Sequence, residues 1–223
     1  MPSSPLYLSI GFSITVILTL YFLGRAFKNA RVPVTILLIW LTLQSIIAST
    51  GFYTVTHTLP PRMMALLAPP MLCIAAFFIS AKGRSYIDSL NAEWLNWLHT
   101  VRVPVEICLL LLFNVGLVPR LMTFEGINFD IISGLSAPLV VYFGYKRKTW
   151  SKNVLIAWNI VCLALLLNIA YHGILSVPTP FQRFGFEQPN IGLTYVPYVL
   201  LPGFIVPAVL FAHLVSIRQL IKK

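Results

Sequence analysis

The chain has 223 residues, 58% hydrophobic and only 10% charged, with a formal net charge of +10 and a mean hydropathy of +0.84. A soluble domain carries ~25% charged residues, so this composition argues against one. It points to an all-α integral membrane bundle, and the continuous, non-alternating apolar runs argue against a β-barrel.

Several of those runs reach about 18 residues, the length that crosses a bilayer as a helix. In chain order the first covers 6–23. No basic residue precedes it and Arg25 follows it, the reverse of a cleavable signal peptide, so the segment is expected to be retained. The second covers 34–52, with Pro33 suited to a first helical turn. The third covers 63–80, and Pro69 and Pro70 predict a kink in it.

The stretch 85–100 differs. Ile87, Leu90, Trp94, Leu98 and Val101 recur at three or four residues, while Asp88, Asn91, Asn96 and His99 fall largely elsewhere. Ser85 with Asp88 reads as a capping box. The pattern predicts an amphipathic helix, either interfacial on the cytoplasmic side, with Trp94 and Trp97 at headgroup level, or packed as a cap on the bundle.

Four further spans follow at 103–118, 127–145, 154–174 and 195–217. The outer loop before the last holds three prolines and several aromatics, which predicts an ordered cover. Pro197, Pro202 and Pro207 predict a bent or unwound final helix, the place where transporters often put binding backbone. The whole chain, 1–223, reads as a single domain of seven transmembrane helices.

Thirteen of the sixteen basic residues fall in four groups: Arg25, Lys28, Arg31; Lys82, Arg84, Arg102; Lys146, Arg147, Lys148, Lys152; and Arg218, Lys222, Lys223. Only Arg62, Arg120 and Arg183 lie on the other side. The bias sets the N-terminus out and the C-terminus in. It explains the positive charge without nucleic acid as a partner. Arg31-Val-Pro-Val and Arg102-Val-Pro-Val open two spans, a short repeat that fits either duplication or a preference for proline at helix starts.

The polar stretch Arg120–Asp130, RLMTFEGINFD, is the chemical focus. An intramembrane ionisable residue is by default a functional hypothesis, and Asp130 falls about one turn inside a span. Asn114, Asn168 and His172 fall in the same outer layer, counted at ~1.5 Å per residue. An outward-facing polar pocket is therefore expected around Asp130, walled by Asn114, Asn168 and His172, with Glu125 and Arg120 at its mouth. Structural pairing of Asp130 with Arg120 or His172, or a helix-capping role, is the simpler alternative. Glu106 is expected to pair locally with Arg102 and to lie roughly 20 Å from Asp130, near the opposite face.

The leading functional expectation is a transporter-like protein that binds a small molecule or ion. The alternatives are an outer-face membrane enzyme using Glu125 or Asp130 with His172, and an assembly or sensor subunit with a protein partner. No nucleophile elbow, phosphate-binding loop or HExxH motif is present. No cofactor and no metal site are expected, and membrane lipids are the expected surroundings. Cys73, Cys108 and Cys162 all fall in apolar spans and read as buried apolar residues.

The stretches MTFEGINFD, WNIVCL, FEQPNIG and PGFIVPAVLFAHLVSIRQL resemble those of an uncharacterised family of small polytopic bacterial membrane proteins. The resemblance implies a bacterial cytoplasmic (inner) membrane and carries no functional residue with it.

Overall fold

The computed structural model describes residues 4–222. Helix α1 (Leu6–Ala26) is followed by α2 (Arg31–Ser49). Only Leu41, Gln44 and Ala48 of α2 are buried, on one stripe, so this helix lies at the edge of the bundle. The Gln44 side chain is satisfied by the Tyr53 hydroxyl.

Helix α3 (Met64–Ile79) contains Pro69 and Pro70 and stops at Ser80. The Ser80 hydroxyl accepts the Gly83 N–H at 3.0 Å and so caps α4 (Ala81–Asp88), not the expected Ser85. The chain bends by 93° between the two helices.

Asn91 caps α5 (Ala92–Leu98). A 3-10 turn at His99–Val101 then joins it to α6 (Arg102–Asn114), and Ala92–Asn114 form one 23-residue rod, about 34 Å long. The rod packs against α1, α7 (Ile131–Leu139) and α9 (Val206–Lys222), and so occupies the centre of the bundle.

A π-helix (Val140–Lys146) continues α7, and another (Leu201–Ile205) opens α9. Pro138 and Pro207 stand beside them. Lacking an N–H, Pro207 leaves the Gly203 carbonyl without its helical donor. The Trp40 indole fills that role at 2.9 Å. Helix α8 (Lys152–Ile174) lies against α9.

Among the described residues, five helices are long and apolar enough to cross a membrane: Leu6–Ala26, Arg31–Ser49, Ala92–Asn114, Lys152–Ile174 and Leu201–Lys222. The bent pair α3–α4 would make a sixth. This is a multi-pass, all-α membrane architecture.

Three expectations change. The stretch 85–100 is not one surface helix: it breaks at 89–91, where the Asn91 N–H donates to the Ala26 carbonyl. Its second half begins the central rod at Ala92, eleven residues before the expected start of that span. Asn96 and His99 are as buried as Leu95 and Leu98, because the polar stripe faces a polar interior. Arg102 consequently lies near the middle of the rod, buried, and not with the basic residues at the helix ends. The two Arg-Val-Pro-Val stretches are therefore not structurally equivalent, since Arg31 is exposed at the start of α2. The last helix starts at Leu201, six residues late, after an irregular run through Pro197.

Four other basic residues have partners near the α4–α5 junction. Arg218 and Lys222 pair with Asp88 at 2.7 and 2.6 Å, Lys146 sits 3.9 Å from Glu93, and Arg25 covers Trp94. Lys223 lies outside the described residues. At the other end, segments 115–130 and 175–200 form an ordered cover that is irregular apart from short 3-10 turns at Arg120–Met122 and Gly192–Thr194. Leu117 O accepts the Ile191 and Gly192 N–H groups at 3.1 and 2.7 Å. The Gln188 amide donates to the Phe113 and Val118 carbonyls at 2.9 and 2.6 Å. Irregular backbone is tolerated at membrane depth only where protein satisfies it, and here the two segments satisfy each other.

Candidate functional site: a buried charged core

The rod carries Asn96, His99, Arg102 and Glu106 at spacings of three, three and four residues, so they form one stripe. All four are buried. Around that stripe, α7, α8, α9 and the 115–130 segment bring their own polar groups.

Arg102 is the hub. Its Nη1 lies 2.9 Å from Asp130 Oδ1 and 3.3 Å from the Cys162 carbonyl. Its Nη2 lies 3.0 Å from His213 Nε2. Arg102 is 2% exposed and Asp130 4%. Gly134 allows α7 to approach closely enough: a Cβ there would sit 2.9 Å from the Val103 backbone nitrogen.

The hydrogen bonds fix the tautomer of His213. Arginine can only donate, so Nε2 is the acceptor. Nδ1 then carries the proton and donates to Asn159 Oδ1 at 2.8 Å. Asn159 uses its amide nitrogen on the Leu155 carbonyl at 2.9 Å, which agrees with that orientation. His99 stacks on His213 with ring centroids 3.8 Å apart and planes 17° apart. The Trp158 ring stands edge-on to His99 at 5.4 Å.

Asn128 links the Glu106 carboxylate to the backbone of Asp130. Its amide donates to Glu106 Oε1 at 2.6 Å and to the Met122 carbonyl at 2.9 Å, while its Oδ1 accepts the Asp130 N–H at 3.1 Å. Further along the rod, the Asn96 amide reaches the Tyr145 hydroxyl at 3.0 Å and the Ser216 hydroxyl at 3.3 Å.

Six buried side-chain polar atoms have no partner among the described residues: Asn96 Oδ1, both His99 nitrogens, Arg102 Nε, Glu106 Oε2 and Asn190 Oδ1. Five of these six sit on the one stripe. Buried polar groups are normally paired, so the concentration marks this seam as a place where polar matter can be accommodated. No three His, Cys, Asp or Glu side chains converge as a metal-ligand set among the described residues.

The residues expected around an outward pocket fall into two groups. Asp130 turns inward to Arg102, not to Arg120 or His172. Asn168 is half-buried and donates to the Ile127 carbonyl at 3.1 Å, and His172 Nδ1 lies 2.9 Å from the Asn168 carbonyl. These two therefore sit beside the Arg120–Asp130 loop. Asn114, Arg120 and Glu125 are exposed. Glu106 and Asp130 are not at opposite faces as depth counting suggested, because Asn128 bridges them. The 115–130 segment folds back into the bundle, and the rod begins earlier than expected, so both carboxylates reach the same level.

Arg102, His99, His213, Asn159 and Asn128 were not picked out from the sequence as site residues. The available signal was the 96–99–102–106 stripe. It crosses the presumed boundary at Val101 without losing register, as a single inward face does.

The family model for a domain of unknown function, DUF8737, matches residues 59–221. No curated protein and no solved structure matches the chain. The matched region contains every residue of the charged core and starts after α2. The chain belongs to the DUF8737 family, a domain of unknown function carried here on a multi-pass helical membrane fold.

Proposed function

We propose that this protein is a seven-span, transporter-like membrane protein that binds a small molecule or ion at the Arg102–Asp130 pair. Its N-terminus is out, its C-terminus is in, and its location is a bacterial cytoplasmic membrane. The seventh span requires that α3 and the 131–146 segment each count as a crossing. The basic residues gathered around Asp88, Glu93 and Trp94 support this orientation.

One observation carries the functional reading: a buried ion pair near the midpoint of the central rod. Charges at such depth are destabilising, and they mark substrate and ion pathways in membrane proteins. Two interrupted helices supply partners of the pair: Asp130 stands at the start of α7, which runs on into a π-helix, and His213 lies on α9, which a π-helix opens. Interrupted helices beside a central charge are how transporters build sites that open and close. The 115–130 segment ends at Asp130, so its displacement would carry the carboxylate away from Arg102 toward the outer side. Asn168 and His172 already flank that route. The outer pocket read from sequence corresponds to this open form, with Glu125 and Arg120 at its mouth.

The test is proteoliposome flux with the proton as the first probe, followed by amino acids and sugars as solutes. Purified protein is reconstituted and flux is compared between wild type and Asp130→Asn. The reading expects flux of at least one probe by wild type and its loss in a folded Asp130→Asn. Equal flux in the two proteins overturns the role of Asp130. Absence of flux with every probe, in folded and oriented protein, overturns the transport reading.

A further inference from the structure

A second feature lies away from the charged core. A cavity of about 310 Å³ opens between α2, α3 and the start of α9. Pro33 and Trp40 of α2, Cys73 and Phe77 of α3, Tyr86 of α4 and Ala208 of α9 mark its walls. Cys73 and Ile36 on its rim are exposed, so it opens sideways from the bundle. Its side-chain polar atoms reduce to the Cys73 thiol and the Tyr86 hydroxyl, because the Trp40 indole is already bonded to Gly203 O. The size is at the small end of ligand pockets, which run roughly 300–1,000 Å³. It suits part of one flexible apolar chain and does not suit a polar headgroup.

The mouth at the basic end has different chemistry. Its floor is an aromatic sandwich, with Tyr86 5.6 Å from Phe77 and 6.4 Å from Phe27. Lys28 follows Phe27, Arg31 lies in the first turn of α2, and Lys82 lies one turn before Tyr86 on α4. All three are exposed, and none has an ion-pair partner among the described residues. Elsewhere at this end, Lys146, Arg218 and Lys222 are engaged by carboxylates. Uncompensated positive charge thus stands at the mouth of an uncharged cleft. From Arg31 to Trp40, α2 offers ten residues of wall, about 14 Å from first to last.

We infer that this cleft is a binding site for one anionic phospholipid, with an acyl chain between α2 and α3 and the phosphate on Lys28, Arg31 and Lys82. The charge pattern selects the headgroup and the apolar lining selects the tail. The site joins α2, which precedes the family-matched region, to helices within that region. The tail also touches Pro207 and Gly203, so the lipid bears on the interrupted start of α9.

The experiment reconstitutes the full chain in vesicles of equal parts phosphatidylglycerol and phosphatidylethanolamine, extracts it gently and records native mass spectra. Wild type is expected to retain one phosphatidylglycerol per chain, preferred about tenfold over phosphatidylethanolamine. The double variant Lys28→Gln, Arg31→Gln keeps a lipid but loses the preference. Cys73→Trp and Ala208→Leu each fill the cleft and lose the adduct, so misfolding of one does not decide the matter. Cys73 alkylation in wild type slows as phosphatidylglycerol is added. Equal retention of both lipids by wild type overturns the inference. So does an unchanged adduct in a folded cleft-filling variant, a retained uncharged isoprenoid, or a dimer that shields Cys73 without lipid.

Discussion

Arg102 and Asp130 are 28 positions apart in sequence, and their side chains meet at 2.9 Å in the interior of the bundle. The pair joins the central rod to the start of α7. Removing one partner of a buried pair leaves the other uncompensated, which costs about 3–5 kcal/mol, whereas replacing both with apolar groups is often neutral. Asp130→Leu and Arg102→Met alone should each lower the thermal midpoint in detergent sharply. The double variant should recover most of the loss while remaining inactive in flux. A double variant no more stable than either single one would mean that the pair does not hold α7 to the rod.

The two stacked histidines should respond in opposite directions. His99→Phe keeps an aromatic ring against His213 and removes two buried nitrogens that have no partner. It should leave the thermal midpoint unchanged or raise it. His213→Phe strands Arg102 Nη2 and Asn159 Oδ1, and unpaired buried groups cost about 1–3 kcal/mol each. Paired melting curves of the two variants check this, and equal destabilisation would show that the His99 nitrogens are not idle.

Gly134 is required by proximity. A Cβ there would press on Val103 N at 2.9 Å and on Val103 Cγ2 at 2.8 Å. Gly134→Val should therefore separate α7 from the rod and weaken the Arg102–Asp130 contact. A cysteine pair placed across α7 and the rod should cross-link more slowly in that background. Unchanged cross-linking would show that the bulkier side chain is accommodated without separating α7 from the rod.

At the basic end, hydrogen bonds from Arg218 and Lys222 hold the Asp88 carboxyl at about 2, below its ordinary 3.8. A group whose folded value is depressed gives stability that is present above its unfolded value and lost as pH falls through the folded one. The Asp88 link should therefore be complete above about pH 4 and disappear toward pH 2. In Asp88→Asn the acid-side decline between those values should flatten. Hydrogen exchange of the last turn of α9, compared at pH 5 and pH 3, reads it directly.

The sequence by itself determined the solvent and the class of fold. Long apolar runs with few charges leave the backbone no partner but its own, so the chain must be helical in a bilayer. Proline spacing located the interruption at the start of α9 but not the bend after α3, which falls at Ser80 while Pro69 and Pro70 lie within a continuous helix, and loop composition identified the ordered cover over the far end. Tertiary structure alone decided which face of a polar stripe points inward. Asn96, His99, Arg102 and Glu106 have the same periodicity whether they meet water or each other. Only α7, α8, α9 and the returning 115–130 segment supply the Asp130, Asn159, His213 and Asn128 groups that turn the stripe inward. Depth counting failed for Asp130 for the same reason. It assumes that the chain runs straight between faces, whereas sixteen residues after Asn114 bend back into the bundle, held by Asn128 and by the cover.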